Sequence, residues 1–371
     1  MLLLMPFWLL LLSLFNGPKT QWRKPETEFL TLKWNQAYPE DTIDKSAVGL
    51  EWALSYCGAM LPNAPDAVHV GADKITIQLP GLGFDQNALQ NMRQLHQKIK
   101  NSQEYQRNKS IDLGRYVALL LGAPEHYYRI TGVPNRLDEL LSKYQLHPET
   151  GYVNHSGVSR IHRKIQFSGQ DGLKQILIAS EIDSVSGAIY EYETIEIMPN
   201  AQLRFGIFDG DGNRKNSAEN SHSEAGKPAK CMWCHESKIS QMFNVQQDFP
   251  GFLAYLELQQ KLVAYNQSLT QQKLALPGGV DFAQTQQHTL TELLYISFME
   301  PSAQRLALEW GMPVDKVLDL LSGFSTHVYE EFPFLGALYD RNQIENRAPF
   351  KGLPVSTHVR EASIVEVNHL E

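Results

Sequence analysis

Cysteine is scarce in this chain: 3 residues in 371. So low a count excludes a disulfide-stapled scaffold. A basic surplus is also missing, since Lys and Arg number 33 against 41 Asp and Glu, for a net charge of −8. Nucleic-acid binding relies on a cationic face to neutralise phosphates, so that class of partner is excluded. No segment after the first fifteen residues approaches the roughly 20 apolar residues of a membrane-spanning helix. Internal repeats and long low-complexity tracts are absent, although Gln is frequent over 241–289. The Gly81-Leu82-Gly83 stretch lacks the third glycine of a dinucleotide loop. Asp209-Gly210-Asp211-Gly212-Asn213 opens like a calcium loop, but Arg214 stands at the sixth place and Asn220 at the twelfth, so a turn is expected there. With 43% hydrophobic and 20% charged residues, the body has ordinary globular composition.

Two of the three cysteines lie in Lys230-Cys231-Met232-Trp233-Cys234-His235, a C-x-x-C-H run. Residues three and four apart share one face of a helical turn, so both sulfurs and the imidazole are presented together. Three chemistries other than cofactor attachment use such residues. A thioredoxin-like dithiol wants its C-x-x-C in a βαβ setting, whereas a loop precedes it here. A zinc site needs four ligands, which Cys231, Cys234, His235 and His222 could supply. A structural disulfide is the third.

The motif resembles that of the c-type cytochromes, over these five residues and not over the rest of the chain. The resemblance implies one covalent haem c, with Cys231 and Cys234 bonded to its two vinyl edges and His235 as proximal iron ligand. Small cytochromes of this group supply a methionine, often before proline, C-terminal to the motif. Gly311-Met312-Pro313 has that form, making Met312 the candidate sixth ligand. Met299 is the second choice, Met242 lies close after His235, and His222 is a further candidate. An exported mono-haem electron carrier is the reading this supports, with an unknown redox protein as partner. The alternative is a haem enzyme of peroxidase or oxidase type, with an open iron position.

The start of the chain agrees with export. Met1–Phe15 is an uncharged apolar run, expected to be a signal peptide or an N-terminal anchor over 1–17, which places the protein in the periplasm or on its membrane. No Lys or Arg precedes the run; Lys19, Arg23 and Lys24 follow it.

The expected fold class is α+β. A mainly helical region covers 18–155, with an irregular lead-in to about residue 45, a helix from about Ser46, and a short strand at Lys74–Leu79. Leu50, Leu54, Cys57 and Leu61 form one apolar stripe, which buries the third cysteine. Further helices are expected from Asp85 to about Lys100 and over Ile111–Leu121. Glu125–Arg129 reads as a loop edge covering the core. Over 156–210 the period changes to two: four strands, Gly157–Phe167, Leu173–Ile182, Ala188–Met198 and Gln202–Phe208, predict an antiparallel meander. Arg160 and His162 fall on its wet face, which argues against a distal catalytic pair there. The attachment loop and a helical region follow over 211–325, with helices from Phe252, Ala283, Pro301 and Pro313. An extended tail over 326–371 is expected to wrap the surface.

Overall fold

The computed structural model describes residues 28–169, 172–284 and 286–371. The expected leader and part of the Gln170-Asp171-Gly172 turn lie outside them. The chain is an α+β protein with two mostly antiparallel sheets.

The N-terminal region runs β1 (Phe29–Lys33), α1 (Ile43–Tyr56), α2 (Ala64–Ala67), β2 (Val68–Val70), β3 (Lys74–Gln78), α3 (Gln86–Lys100), α4 (Gln103–Asn108), β4 (Ile111–Asp112), α5 (Leu113–Leu121), α6 (Pro124–Thr131) and α7 (Leu137–Leu141). Its first sheet has the order β2-β3-β1-β4, with β1 antiparallel to β3 and parallel to β4. Strand β1 replaces part of the irregular lead-in expected before residue 45. Its only inward residues, Leu30 and Leu32, are too short an alternation to stand out from a charged, proline-bearing context. Helix α1 starts at Ile43, where the Thr42 hydroxyl accepts from the Lys45 N–H. Leu50, Leu54, Cys57 and Leu61 are buried together, as their spacing requires.

The second sheet is the meander β5 (Gly151–Val153), β6 (His162–Phe167), β7 (Ile176–Ile182), β8 (Ile189–Ile197) and β9 (Leu203–Asp209), paired in chain order. Residues directly opposite across an antiparallel pair share a face. Phe167, Leu177, Ile195 and Phe205 therefore form one inward row, and Arg163, Glu181 and Glu191 another. The reverse face packs on the N-terminal region. A Cβ on Gly206 would touch Val133 there, and Asn200 Nδ2 donates to Ser55 and Ala59 carbonyls. The Glu125–Arg129 stretch is not a loop edge but the body of α6, its Tyr127 hydroxyl accepting from Phe205 N–H and its Tyr128 hydroxyl donating to the Lys215 carbonyl. Pro124 at the first helical turn and Gly132 past the end, in the left-handed region, delimit it.

After the meander come α8 (Pro228–His235), α9 (Tyr255–Leu274), α10 (Gln287–Met299), α11 (Ala303–Trp310), α12 (Val314–Leu320) and α13 (Arg341–Ile344). One continuous core takes in residues from Leu30 to Leu370. A small second core joins α11, α12 and α13 to Phe350. Among the described residues no helix is long and apolar enough to cross a membrane.

Candidate functional site

Helix α8 carries the C-x-x-C-H run and is short for identifiable reasons. Pro228 occupies its first turn after an extended Lys227, and it stops at His235 because Glu236 and Ser237 both take left-handed backbone angles (φ 46° and 64°). The Glu236 N–H closes the last turn on the Met232 carbonyl at 2.9 Å. Two consecutive non-glycine residues at positive φ are uncommon, and they fix where the imidazole ends up relative to the sulfurs.

Cys231, Cys234 and His235 line one cavity together with the inward face of the meander. The space between them is about 950 Å³, open solvent at its mouth included. Ile165, Leu177, Ile195 and Phe205 supply an apolar wall. Ile239, Met242 and Phe243, from the segment after α8, face it along with Leu262 of α9. The His235 ring lies 5.8 Å from the Phe205 ring, centroid to centroid.

Electrostatics separate the possible chemistries. Burial pushes the Cys231 thiol well above its ordinary range, with Glu193 adding to the effect, and burial raises Cys234 as well. Both stay protonated at neutral pH, the opposite of a thioredoxin-type nucleophile, which needs a stabilised thiolate. Burial pulls His235 down, partly offset by the Lys238 main chain and Glu193, so the imidazole is neutral and its lone pair is free to ligate. His235 Nδ1 is buried with no hydrogen-bond partner. Cys57, Cys231 and Cys234 are unbridged. Among the described residues no group of three or more His, Cys, Asp or Glu is arranged to hold a metal ion, which weighs against the zinc alternative.

A polar cluster interrupts the apolar wall. Arg163, only 8% exposed, donates from Nε to Glu181 at 2.6 Å and from Nη2 to both Glu193 oxygens at 3.1 Å. The Ser223 hydroxyl donates to Glu193 at 2.8 Å. Arg163 and Glu193 border the cavity; Glu181 lies fully buried behind them. Burial lifts the Glu181 carboxyl to about 7 against the pull of Arg163. This pair was legible in principle: Arg163 follows Ile161 and precedes Ile165 and Phe167 at every second place, a charge in an otherwise apolar row.

The remaining candidates, Met242 excepted, lie apart from the cavity. Met312 packs on the second core, beside α11 and α12, and is not among the cavity's lining residues. Met299 is buried in α10. His222 is stacked on Tyr190, ring centroids 4.4 Å apart. Met242 is the methionine that shares the cavity with His235. Arg160 pairs with Glu224 at the surface, and His162 bonds to the Tyr152 hydroxyl.

No protein-family model, no curated protein and no solved structure matches the chain.

Proposed function

We propose that the chain is an exported c-type haem protein with one haem in the meander cavity, held through Cys231 and Cys234 and ligated by His235, and that its task is electron transfer. The observation carrying this reading is the convergence of two half-buried, protonated thiols and one half-buried imidazole, its Nδ1 without a hydrogen-bond partner, on a single largely apolar cavity. When bound, the haem supplies a one-electron redox centre whose potential the surroundings tune. The chain's part is to exclude water with the Ile165, Leu177, Ile195 and Phe205 wall and to hold His235 neutral. Met242 lines that cavity and Met312 does not, which supports Met242 over Met312 as the candidate sixth ligand.

The test is export of the full chain in a host that attaches haem c, followed by pyridine haemochrome quantitation. One haem per chain is expected, surviving denaturing electrophoresis and lost in Cys231→Ser with Cys234→Ser. No covalent haem, or both thiols freely alkylated after export, overturns the assignment.

One observation favours the second reading, a haem enzyme with an open iron position: the Arg163–Glu193 pair sets a hydrogen-bonding dyad into the cavity wall. Carbon monoxide titration of the reduced protein separates the two. Slow or absent binding at neutral pH, becoming rapid in Met242→Ala, fits a carrier; rapid binding in the unmodified protein decides for an enzyme.

A further inference from the structure

One imidazole ties the tail to the first half of the chain. His126 in α6 is fully buried, and its two nitrogens face opposite kinds of partner. Nδ1 lies 2.7 Å from the Leu119 carbonyl of α5. Nε2 accepts from the main-chain N–H of His369 at 2.8 Å. A carbonyl is satisfied by a proton and an N–H by a lone pair. Both contacts therefore hold together in one form, the neutral ring protonated on Nδ1. A second proton goes to Nε2 and turns the acceptor into a donor aimed at another N–H.

The contact secures more than itself. Leu370, next to His369, is 4% exposed and belongs to the main core, and its carbonyl accepts from Arg129 Nη1. Glu366, in the same segment, pairs with the buried Lys227 at 2.6 Å. Lys227 in turn donates to the Gly122 carbonyl at 3.0 Å, at the turn between α5 and α6. The segment over 366–371 is thus fixed to α6 through His126 and to the start of α8 through Lys227.

The groups around the ring disfavour its cation. Burial has the largest effect; the Leu119 carbonyl favours the cation, while His369 of the tail and Arg129 of the same helix oppose a further positive charge. Glu125, the preceding residue, is engaged by Arg214 at 2.9 Å. From α3, Asn87 and Asn91 bring neutral amides, both donating to the Arg129 carbonyl. Together these hold His126 at about 4, against an ordinary 6.5. A base that docking weakens recovers its proton on undocking. Docking is therefore at full strength above pH 6.5, weakens as pH falls and reaches its floor near pH 4. Those two limits set a ceiling of about 300-fold on the change in the docking equilibrium.

We propose that the segment over 366–371 is an acid-released latch, docked on neutral His126 and freed when Nε2 takes a proton. Its release loosens the brace on α8 through Glu366 and Lys227, whatever the meander cavity holds.

Hydrogen–deuterium exchange of the full chain from pH 7 to pH 4, corrected for intrinsic rates, tests this alongside nitrogen NMR shifts of the His126 ring. At pH 7 the ring is expected as the Nδ1–H tautomer, with the 366–371 amides protected. Towards pH 4 those amides are expected to exchange about tenfold faster while α1 and α5 keep their protection. Glu366→Gln removes the segment's carboxylate and is expected to keep this pH dependence. His126→Gln, which carries a donor and an acceptor that do not titrate, is expected to lose it. Linkage supplies a check that leaves His126 in place: Leu370→Ala, which loosens the segment, is expected to raise the His126 midpoint towards 6.5. An Nε2–H tautomer at pH 7, protection of 366–371 unchanged down to pH 4, or a midpoint unmoved in Leu370→Ala overturns the latch. A pH dependence that vanishes in Glu366→Gln makes the carboxylate the switch and overturns it as well.

Discussion

Arg163 stands where an aliphatic residue would complete the inward row of β6. With Glu181 and Glu193 on its guanidinium, removal of the cation leaves two carboxylates in a nearly water-free wall. Arg163→Leu is expected to lower stability by about 3–5 kcal/mol, as loss of one partner of a buried pair does; a urea midpoint unchanged from the wild type would contradict this. Elsewhere single carboxyls set opposite pH limbs. Burial alone would push Glu309 up, but Arg341 at 2.6 Å and Arg305 at 2.6 Å hold it at about 2, against an ordinary 4.5. The stability it contributes is whole above pH 4.5 and is lost as pH falls towards 2, an effect of about 3 kcal/mol. Burial raises Glu292 to about 8, so its contribution is whole below pH 4.5 and is lost as pH rises through 8. Glu309→Gln should therefore cost stability at pH 7 and converge on the wild type near pH 2. Glu292→Gln should match the wild type at pH 4 and exceed it at pH 9. Thermal melts across that range that ran parallel for all three proteins would dismiss both assignments. Much at this scale could be read from residue order alone: Cys57 is in the core because its stripe demanded it, and the cavity gathers Cys231, Cys234 and His235 as their helical spacing required. Met242 could not be found that way. Its place depends on how the loop after Glu236 folds back, with its carbonyl accepting from the Gly157 N–H, a contact between distant segments.

The helices and strands were legible in proportion to the length of their apolar repeats. Helix α9 repeats its buried Leu258, Leu262, Tyr265 and Leu269 over three turns, and β6 to β9 each run for six or more residues between turn signals. Strand β1 and helix α6 are too short to repeat anything, and tertiary contacts form them. Close approach between elements is another thing that periodicity does not reveal. Helix α10 crosses α1 and α5 where they carry Gly49 and Gly114. A Cβ at Gly114 would stand 2.5 Å from both the Leu294 carbonyl oxygen and Phe298 Cβ; at Gly49 it would stand 2.7 Å from the Leu290 carbonyl oxygen. Backbone cannot yield as a side-chain tip can. Gly114→Ala is expected to destabilise by about 1–3 kcal/mol despite its better helix propensity, measured by denaturant unfolding; a gain in stability would show that the helices slide apart freely.

At the scale of the whole molecule, the C-terminal segment does more than cover the surface. The fully buried Lys227, next to the start of α8, donates to the carbonyls of Gly122 (3.0 Å) and His358 (2.8 Å) and to the Ser363 hydroxyl (2.6 Å), and it pairs with Glu366 at 2.6 Å. Lys230 reaches Glu361 at 2.8 Å, and the Lys227 N–H donates to the Arg360 carbonyl. Lys227→Met is expected to release the segment over 354–371 to limited proteolysis and to lower the melting temperature, with the meander left intact by circular dichroism. Equal cleavage rates in both proteins would count against the clamp. The segment that fixes α8 is synthesised only after more than a hundred residues have followed the two sulfurs out of the ribosome. Until it arrives, the short helix has no brace on that side, and the haem attachment proposed above would find both thiols on a less constrained stretch of chain. On that proposal, attachment precedes the docking of the tail.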